Sequence, residues 1–317
     1  MARRGFTVIE ILIGVLLLSF VALTVMAGGR WLLLSVTRTT RWFTARDRGR
    51  RVIAFVEPRL LHAGLGMSKF RGALSHAFGD SSAVPAIAGW PDSRRCVTVY
   101  RERESGKLYA VDEESGVFKG TAFSVIYARS SGIIVSARGK KAVTLTQGQE
   151  ARFDIITGKW DESKFCALQR RNLFSWAIPP LVGTPLLITG RSGTVLTLSL
   201  AAAASYIDEI EIPPVTELLS LRCERFCVKD GVFRFQGMEE NWTPDAFYPR
   251  EDGVLALWVE WRPSSRVFDM WVLTSGGPSV FAPSARPAEW PDDAPWSVDF
   301  AGHELCVSRA SWRLENV

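Results

Sequence analysis

The chain has 317 residues, 47% of them hydrophobic and 22% charged, a composition that excludes an intrinsically disordered protein and allows one large domain or two smaller ones. Its formal net charge is +5, but residues 1–51 hold nine arginines against two carboxylates, so the rest of the chain is slightly acidic. The basic character belongs to the N-terminal segment, which argues against a protein whose main body binds nucleic acid.

An apolar run near the N-terminus is long enough to cross a bilayer. No charged residue occurs from Ile11 to Gly29, and nineteen residues of helix span about 28 Å. Arg3 and Arg4 precede the run, which predicts a cytoplasmic N-terminus and an exported remainder, because a long following domain crosses largely regardless of its charges. The arginines between residues 30 and 51 are interpreted as a solvated face of the helix, next to the lipid headgroups.

The same stretch has features of a cleavable secretory signal, including small residues that would allow cleavage after Ala27. A retained helix explains it better. The run is longer than the usual 7–15 residues of a signal core, and Glu10 is costly in an apolar segment. Apolar residues also continue three or four apart beyond Gly29 as far as Leu61, as in an amphipathic helix.

This pattern predicts one nearly continuous helix from Phe6 to about His62, on the order of 85 Å long. Its first third is apolar on all sides, and its remainder has one apolar stripe and one arginine-rich face. Gly64 and Gly66 indicate where the helix stops. Pro58 is a poor helix former and argues against a straight helix as far as residue 62.

Residues 3–5 read RRG, and they are followed by FTVIE at 6–10 and ILIGVLLLSF at 11–20. This arrangement resembles the class III signal of type IV pilins and type II secretion pseudopilins. The resemblance implies that a prepilin peptidase cuts between Gly5 and Phe6 and methylates the new amino group of Phe6. A buried charge needs a partner, and Glu10 is expected to pair with the Phe6 amine of a neighbouring subunit, which would fix the register between packed helices.

Three further stretches are similar to parts of PilW-type minor pilins, in the order that this family has them. Residues 46–66 resemble the end of the helix, residues 223–235 a strand–turn–strand segment, and residues 308–317 the closing strand. The resemblance implies an α+β, pilin-like fold in which a long hydrophobic stem helix packs against an antiparallel, β-rich head.

The implied organisation has three parts. These are a leader at residues 1–5, a stem helix at 6–64 with its transmembrane part at 11–29 and an amphipathic remainder, and a globular head at 65–317. The chain would cross the inner membrane once, with a cytoplasmic N-terminus and a periplasmic head, and then enter a filament.

A PilW-type minor pilin is a non-enzymatic structural subunit that primes or caps the assembly of a type IV pilus. The implied partners are prepilin peptidase, the other minor pilins, the major pilin and the inner-membrane assembly platform. No cofactor and no nucleic acid are expected. A minor pseudopilin of a type II secretion system would use the same residues and pseudopilin partners. A third hypothesis is an exported, membrane-anchored hydrolase or carbohydrate-binding protein with an ordinary signal.

After Gly66 the apolar pattern changes from a helical period to alternation, which predicts short strands. Two hairpins are also predicted, one at 220–236 that turns at Asp230–Gly231 and one at 253–274 that turns at Pro263–Ser265. Together they predict one antiparallel sheet on the C-terminal half of the stem. The other predicted strands lie at 96–100, 123–128, 132–137, 142–146, 151–157, 185–189, 194–200 and 208–212.

The cysteines of an exported head are candidates for disulfides. Their odd number leaves at least one thiol free or bonded to another chain. Cys223 and Cys227 are four residues apart, which is about 13 Å along one strand and exceeds the range of a disulfide. No metal site is predicted at these two cysteines. Zinc would need two further ligands, and the chain has only three histidines to supply them. The five cysteines are Cys96, Cys166, Cys223, Cys227 and Cys306.

Residues that could carry catalysis are not apparent in the sequence. Acidic clusters at 208–211 and 292–293 lack the spacing of an EF-hand loop and are interpreted as solvated turns or edge strands. No nucleophile elbow, P-loop or dinucleotide fingerprint occurs, so the chain is not expected to be an enzyme.

Twelve tryptophans are unusual for a chain of this length. Those on the strands of the second hairpin are predicted to be buried in the core, namely Trp258, Trp261 and Trp271. Those beside prolines in loops are candidates for an exposed surface that binds a partner subunit or a glycan, namely Trp90, Trp290 and Trp296.

Overall fold

One long helix, α1, runs from Val8 to Leu61, and most of the remaining described chain is β-strand. The first strands are β1 Val97–Glu102, β2 Leu108–Ala110, β3 Phe118–Gly120, β4 Ala122–Ser136 and β5 Ala142–Leu145. A short helix, α2 Glu150–Thr157, precedes β6 Leu173–Trp176, β7 Pro185–Ser192, β8 Val195–Leu200, β9 Thr216–Lys229 and β10 Val232–Gly237. The last elements are β11 Tyr248–Asp252, β12 Val254–Arg262, β13 Val267–Pro278, a 3₁₀ turn at Val298–Phe300 and β14 His303–Arg313.

The computed structural model describes ten segments of the chain. They are residues 7–64, 96–102, 108–136, 142–157, 173–176, 185–200, 216–237, 248–279, 285–300 and 302–315.

The predicted length of the stem helix is confirmed. The helix passes through Pro58 and ends one turn later, where Gly64 adopts a positive φ of 78°. The backbone N–H of Gly64 then donates to the carbonyl of Ile126, 2.9 Å away, and this ties the helix end to β4. The proline is tolerated because it removes a single N–H close to the end of the helix, whose last turn still closes through His62 and the Pro58 carbonyl.

The largest sheet has ten antiparallel strands, and part of it closes on itself. β4 and β9 pair from Phe123 opposite Phe226 to Val135 opposite Thr216. Beyond this pair, β9 continues to β6, β7, β8 and β5, and β5 returns to β4, so six strands form a closed ring. At the other end of the two long strands, β1 and β2 extend the sheet beside β4, and β10 and β11 extend it beside β9.

A second sheet of four antiparallel strands has the order β14–β13–β12–β3. α1 packs mainly on β13 and β14 of this sheet. The two sheets share one core with the stem, in which the ring of Phe123 lies 4.9 Å from that of Phe226 and 5.0 Å from that of Phe268. The sequence predicted one sheet on the stem, and the structure therefore adds a second.

The opposite face of the four-stranded sheet is also covered. Trp258 and Trp271 on this face pack with Trp290 from the segment after β13. These two tryptophans and Trp261 are buried, as predicted. Trp290 is only 1% exposed and donates its indole N–H to the Pro295 carbonyl, so its predicted role in an exposed surface is wrong.

The two other predicted loop tryptophans differ in outcome. Trp296 is half-buried and packs edge-on against Phe300 within the same cluster, which leaves little of it for a binding surface. Trp90 lies outside the described residues.

Both predicted hairpins are confirmed. β9 and β10 are joined by Asp230 and Gly231, which both have positive φ, as a two-residue type I′ turn requires. β12 and β13 are joined by residues 263–266. The Asp-Gly pair was a strong signal because few other residues adopt this backbone conformation without strain.

Two strand predictions need correction. The predicted strands 123–128 and 132–137 form one continuous strand, β4, which ends at Ser136 and has an irregularity in pairing between Ser130 and Ile133. Residue 137 lies outside the described residues. Residues 151–157 were predicted as a strand and form the helix α2. This segment is short, and its few apolar residues fit either period, so the pattern could not decide between helix and strand. The predicted strand 208–212 lies outside the described residues.

Candidate functional site at the exposed end of the stem helix

The first turn of α1 is closed by a reciprocal pair of side chains, a capping box. The backbone N–H of Thr7 donates to Oε2 of Glu10 at 2.9 Å, and the Thr7 hydroxyl donates to the same oxygen at 3.0 Å. In return, the backbone N–H of Glu10 lies 3.3 Å from the Thr7 hydroxyl oxygen. The Thr-x-x-Glu spacing is the usual sequence signal for this cap, and the sequence interpretation above missed it.

The cap gives Glu10 a local role within its own chain. A carboxylate in the first turn also faces the positive end of the helix dipole, which stabilises its charge. Oε2 accepts both bonds from Thr7, and Oε1 has no hydrogen-bond partner among the described residues. One oxygen of this exposed carboxylate is therefore without a partner in the part of the chain that the structure describes. Gly5 and Phe6, the predicted cleavage and methylation sites, lie outside the described residues.

The helix that follows is apolar and uncovered over residues 8–33, which we call the apolar end. Its large apolar side chains are 54–74% exposed. Its most apolar window has a mean hydropathy of 2.7 and is not buried by any described segment of the chain. By length and composition, this one helix could span a membrane or act as a signal sequence.

Hydroxyl groups within the apolar end are satisfied by the helix itself. The Ser19 hydroxyl donates to the Val15 carbonyl at 2.8 Å, and the Thr24 hydroxyl donates to the Val21 carbonyl at 2.8 Å. Such back-bonds remove the need for water or a partner side chain, so these residues are compatible with hydrocarbon surroundings. Apart from the N-terminal cap and Arg30 near its other boundary, the polar side chains of the apolar end therefore present no large obstacle to its burial.

The C-terminal half of α1 is instead docked on the head. Its buried residues are three or four apart, as the amphipathic pattern predicted, and they are Ala45, Gly49, Val52, Val56 and Leu60. The helix approaches the second sheet closely. The hydroxyl of Thr274 on β13 donates directly to the backbone carbonyl of Ala45 in the helix, at 2.7 Å. At the far end, the indole N–H of Trp312 donates to Glu57 at 3.3 Å.

The arginines of the stem were interpreted as a solvated face, and for several of them this is wrong. Arg38 pairs at 3.1 Å with Glu304, which is buried, and Arg41 donates to the Pro278 carbonyl. Arg48, further along the helix, donates to the Ser275 carbonyl. The guanidinium groups of these three arginines contact the end of β13 and the start of β14, so this part of the arginine row helps to hold the stem against the head.

Two more stem arginines bind acids of the ten-stranded sheet. Arg51 makes two parallel hydrogen bonds to Glu251, at 3.0 and 2.8 Å, which raise the pKa of this guanidinium above its usual value. Arg59 pairs with Glu224, whose other carboxylate oxygen accepts from the Tyr127 hydroxyl at 3.0 Å.

The cysteine side chains that the structure describes are free thiols, and the disulfide roles stay a prediction. They belong to Cys96, Cys227 and Cys306. Burial raises the pKa of Cys96 to about 11 and that of Cys227 to about 12, so both stay protonated at neutral pH and are poor nucleophiles. Burial also raises the pKa of Cys306.

The remaining two cysteines add little. Cys223 and Cys227 both lie in β9, so the sequence argument against a bond between them agrees with the structure. Cys166 lies outside the described residues.

The acidic cluster at 292–293 is exposed, and Asp293 pairs with Lys119, which lowers the pKa of this carboxyl. Within the described segments, no group of three or more histidine, cysteine or acidic side chains is placed to hold a metal ion. The cluster at 208–211 lies outside them.

Comparisons with protein-family models, with characterised proteins and with solved structures find no significant match to this chain. The pilin resemblance therefore depends on the residues of the chain itself.

Proposed function

We propose that the protein is a minor pilin of a type IV pilus, a non-enzymatic structural subunit that primes or caps filament assembly. The observation that carries the proposal is the division of α1, in which a docked half continues into an uncovered apolar end with a carboxylate at its start. An apolar surface of this size needs lipid or protein around it. A stem helix that moves from a membrane into a bundle of stem helices is surrounded first by lipid and then by protein.

Glu10 is the residue that makes the bundle specific in this proposal. After cleavage beside Gly5, the amine of Phe6 would carry a positive charge in apolar surroundings. Pairing with Glu10 of a neighbouring subunit would neutralise both charges, and the low dielectric would strengthen the attraction. The cap within one chain uses Oε2 of Glu10, and Oε1 has no partner among the described residues, which supports this role.

The proposal also gives the protein a location and partners. The apolar end would sit in the inner membrane with the N-terminus in the cytoplasm and the head in the periplasm, before extraction into the filament. Prepilin peptidase would process it, and the assembly platform, the other minor pilins and the major pilin would contact it.

Mass spectrometry of the mature N-terminus tests the proposal. We expect a chain that starts at Phe6 and carries one methyl group on its amine. A mature chain that starts at Gly28 would indicate an ordinary secretory signal and would refute the assignment.

Two substitutions of Glu10 separate its charge from its capping role. Glu10→Gln removes the charge and keeps a side chain that can complete the capping box, whereas Glu10→Ala removes both. We expect both variants to be cleaved normally and both to be depleted from sheared filaments. Wild-type levels of Glu10→Gln in the filaments, with Glu10→Ala depleted, would show that the cap matters and the charge does not.

A further inference from the structure

A cavity of about 510 Å³ lies between the docked half of α1 and the edge strand β11. The helix contributes Arg51, Phe55 and Arg59 to its lining, and the strand contributes Arg250 and Glu251. A cavity of this volume is in the range that accommodates a small ligand or part of a peptide. It is far from the apolar end and has no part in the function proposed above.

The strand is shaped at this point by a β-bulge. Phe233 of β10 pairs with Glu251, and Arg234 pairs with Pro249, so Arg250 is the extra residue without a partner across the ladder. In a regular strand, adjacent side chains point to opposite faces, and a bulge changes these directions. Here Arg250 and Glu251, although adjacent in sequence, both line the cavity.

Acids of the head neutralise two of the three guanidinium groups in the cavity. Arg51 is paired with Glu251, and Arg59 is paired with Glu224. The guanidinium of Arg250 lies over the ring of Phe55, 4.6 Å from its centroid, and has no carboxylate partner among the described residues. Among the described residues, one positive charge in the cavity is therefore uncompensated. It lies beside an aromatic ring that Arg59 also covers, 3.8 Å from the ring centroid.

This balance of charges favours a ligand with one negative charge. A lipid headgroup is a poor candidate, because Arg51 lies 22 residues beyond Gly29 and therefore about 33 Å along the helix from the apolar run. A phosphate dianion would exceed the single free charge. A carboxylate matches both the charge and the planar fork of a guanidinium. Val52 and Ala54 in the cavity lining suit an apolar group next to it.

We propose that this cavity binds a carboxylate group from another protein, an aspartate or glutamate side chain with an apolar neighbour, through Arg250 at the β11 bulge. Arg250 is exposed and can be reached from solution. Arg51 and Arg59 serve as positioning residues, because their ion pairs hold the helix and the strand on either side of the cavity.

Ligand-observed saturation-transfer NMR on the full chain in detergent micelles tests the proposal. The probes are acetyl-Phe-Glu-amide, which has one carboxylate, and the matched acetyl-Phe-Gln-amide, which has none. We expect the Glu dipeptide to bind about tenfold more tightly than the Gln dipeptide, as is typical for loss of a charged hydrogen-bond partner.

Substitutions locate the binding. Arg250→Gln should reduce the affinity for the Glu dipeptide to that for the Gln dipeptide, and Arg250→Lys should restore part of it. Arg313→Gln removes an exposed arginine on β14, away from the cavity, and should have no effect. The proposal is overturned if the two dipeptides bind equally, if Arg313→Gln acts like Arg250→Gln, or if phosphate displaces the Glu dipeptide better than acetate at equal ionic strength.

Discussion

The close approach of stem and head at Gly49 gives a sharp test of the docked arrangement. An alanine at this position would place its Cβ 2.7 Å from Cβ of Ser308 and closer still to the hydroxyl oxygen. Real Cβ contacts are not this short, so α1 or β14 would have to move. Overpacking of this kind typically costs about 1–3 kcal/mol.

The same substitution also improves helix propensity, since Ala is favoured over Gly by about 0.8–1.0 kcal/mol in a helix interior. The expected net loss for Gly49→Ala is therefore about 0–2 kcal/mol, or a decrease in Tm of up to about 8 °C at the 2–4 °C per kcal/mol of a large domain. Gly28→Ala is the matched control, because a Cβ there would have no atom within 4 Å. It should not lower the Tm of the head.

A double-mutant cycle isolates the clash from the propensity effect. Ser308→Gly removes the atoms that the new methyl group would meet, so Gly49→Ala should stabilise the Ser308→Gly background by about 1 kcal/mol. The assay is thermal unfolding of the full chain in detergent, followed by circular dichroism. The docking geometry would be refuted if Gly49→Ala raised the Tm equally in both backgrounds.

Two further predictions concern the interior of the head. Trp290→Ala should lower the free energy of unfolding by about 3–5 kcal/mol, because the side chain is fully buried against Trp258 and Trp271. The control Trp42→Ala, on the exposed stem, should change it by less than about 1 kcal/mol. Equal effects of the two substitutions in chemical denaturation would contradict the buried position of Trp290. Burial raises the pKa of Cys227 from 9.0 to about 12, so above pH 9 the unfolded chain loses a proton that the folded chain keeps. Stability from this thiol is complete below pH 9 and declines as the pH rises towards 12, and Cys227→Ala should show a shallower decline than the parent chain between pH 8.5 and 10.5. Parallel declines in the two proteins would contradict a buried thiol at this position.

Features with a strong local signal were predictable from the sequence. The stem followed from an uncharged run that continues into a three-to-four-residue apolar pattern, and its end followed from Gly64, which adopts the positive φ that glycine tolerates best. The β9–β10 hairpin followed from Asp230–Gly231 for the same reason. In each case, neighbouring residues determine the backbone conformation.

Features that depend on distant partners were not predictable. Arg51 and Arg59 are held by Glu251 and Glu224, which are 200 and 165 residues away. From sequence alone, an arginine with such a partner looks the same as a solvated one. The closed ring of strands is equally non-local, because it depends on the pairing of β4 with β9, which the sequence places far apart. The bulge at Arg250 joins consecutive strands, but it depends on the register of β11 against β10, which the residues of one strand alone do not reveal.

The arginine contacts bear on how the two halves of the stem work together. The first firm contact with the head is made by Arg38, and the apolar end before it is about 39 Å long. Because no part of the described head touches this end, exchange of lipid for protein around it would leave the buried face from Ala45 to Leu60 unchanged. The ion pairs at Arg51 and Arg59 would then keep the head fixed to the helix while the apolar end changed its surroundings. A subunit that is extracted from a membrane into a filament needs this combination, since its head must stay folded while its anchor is transferred.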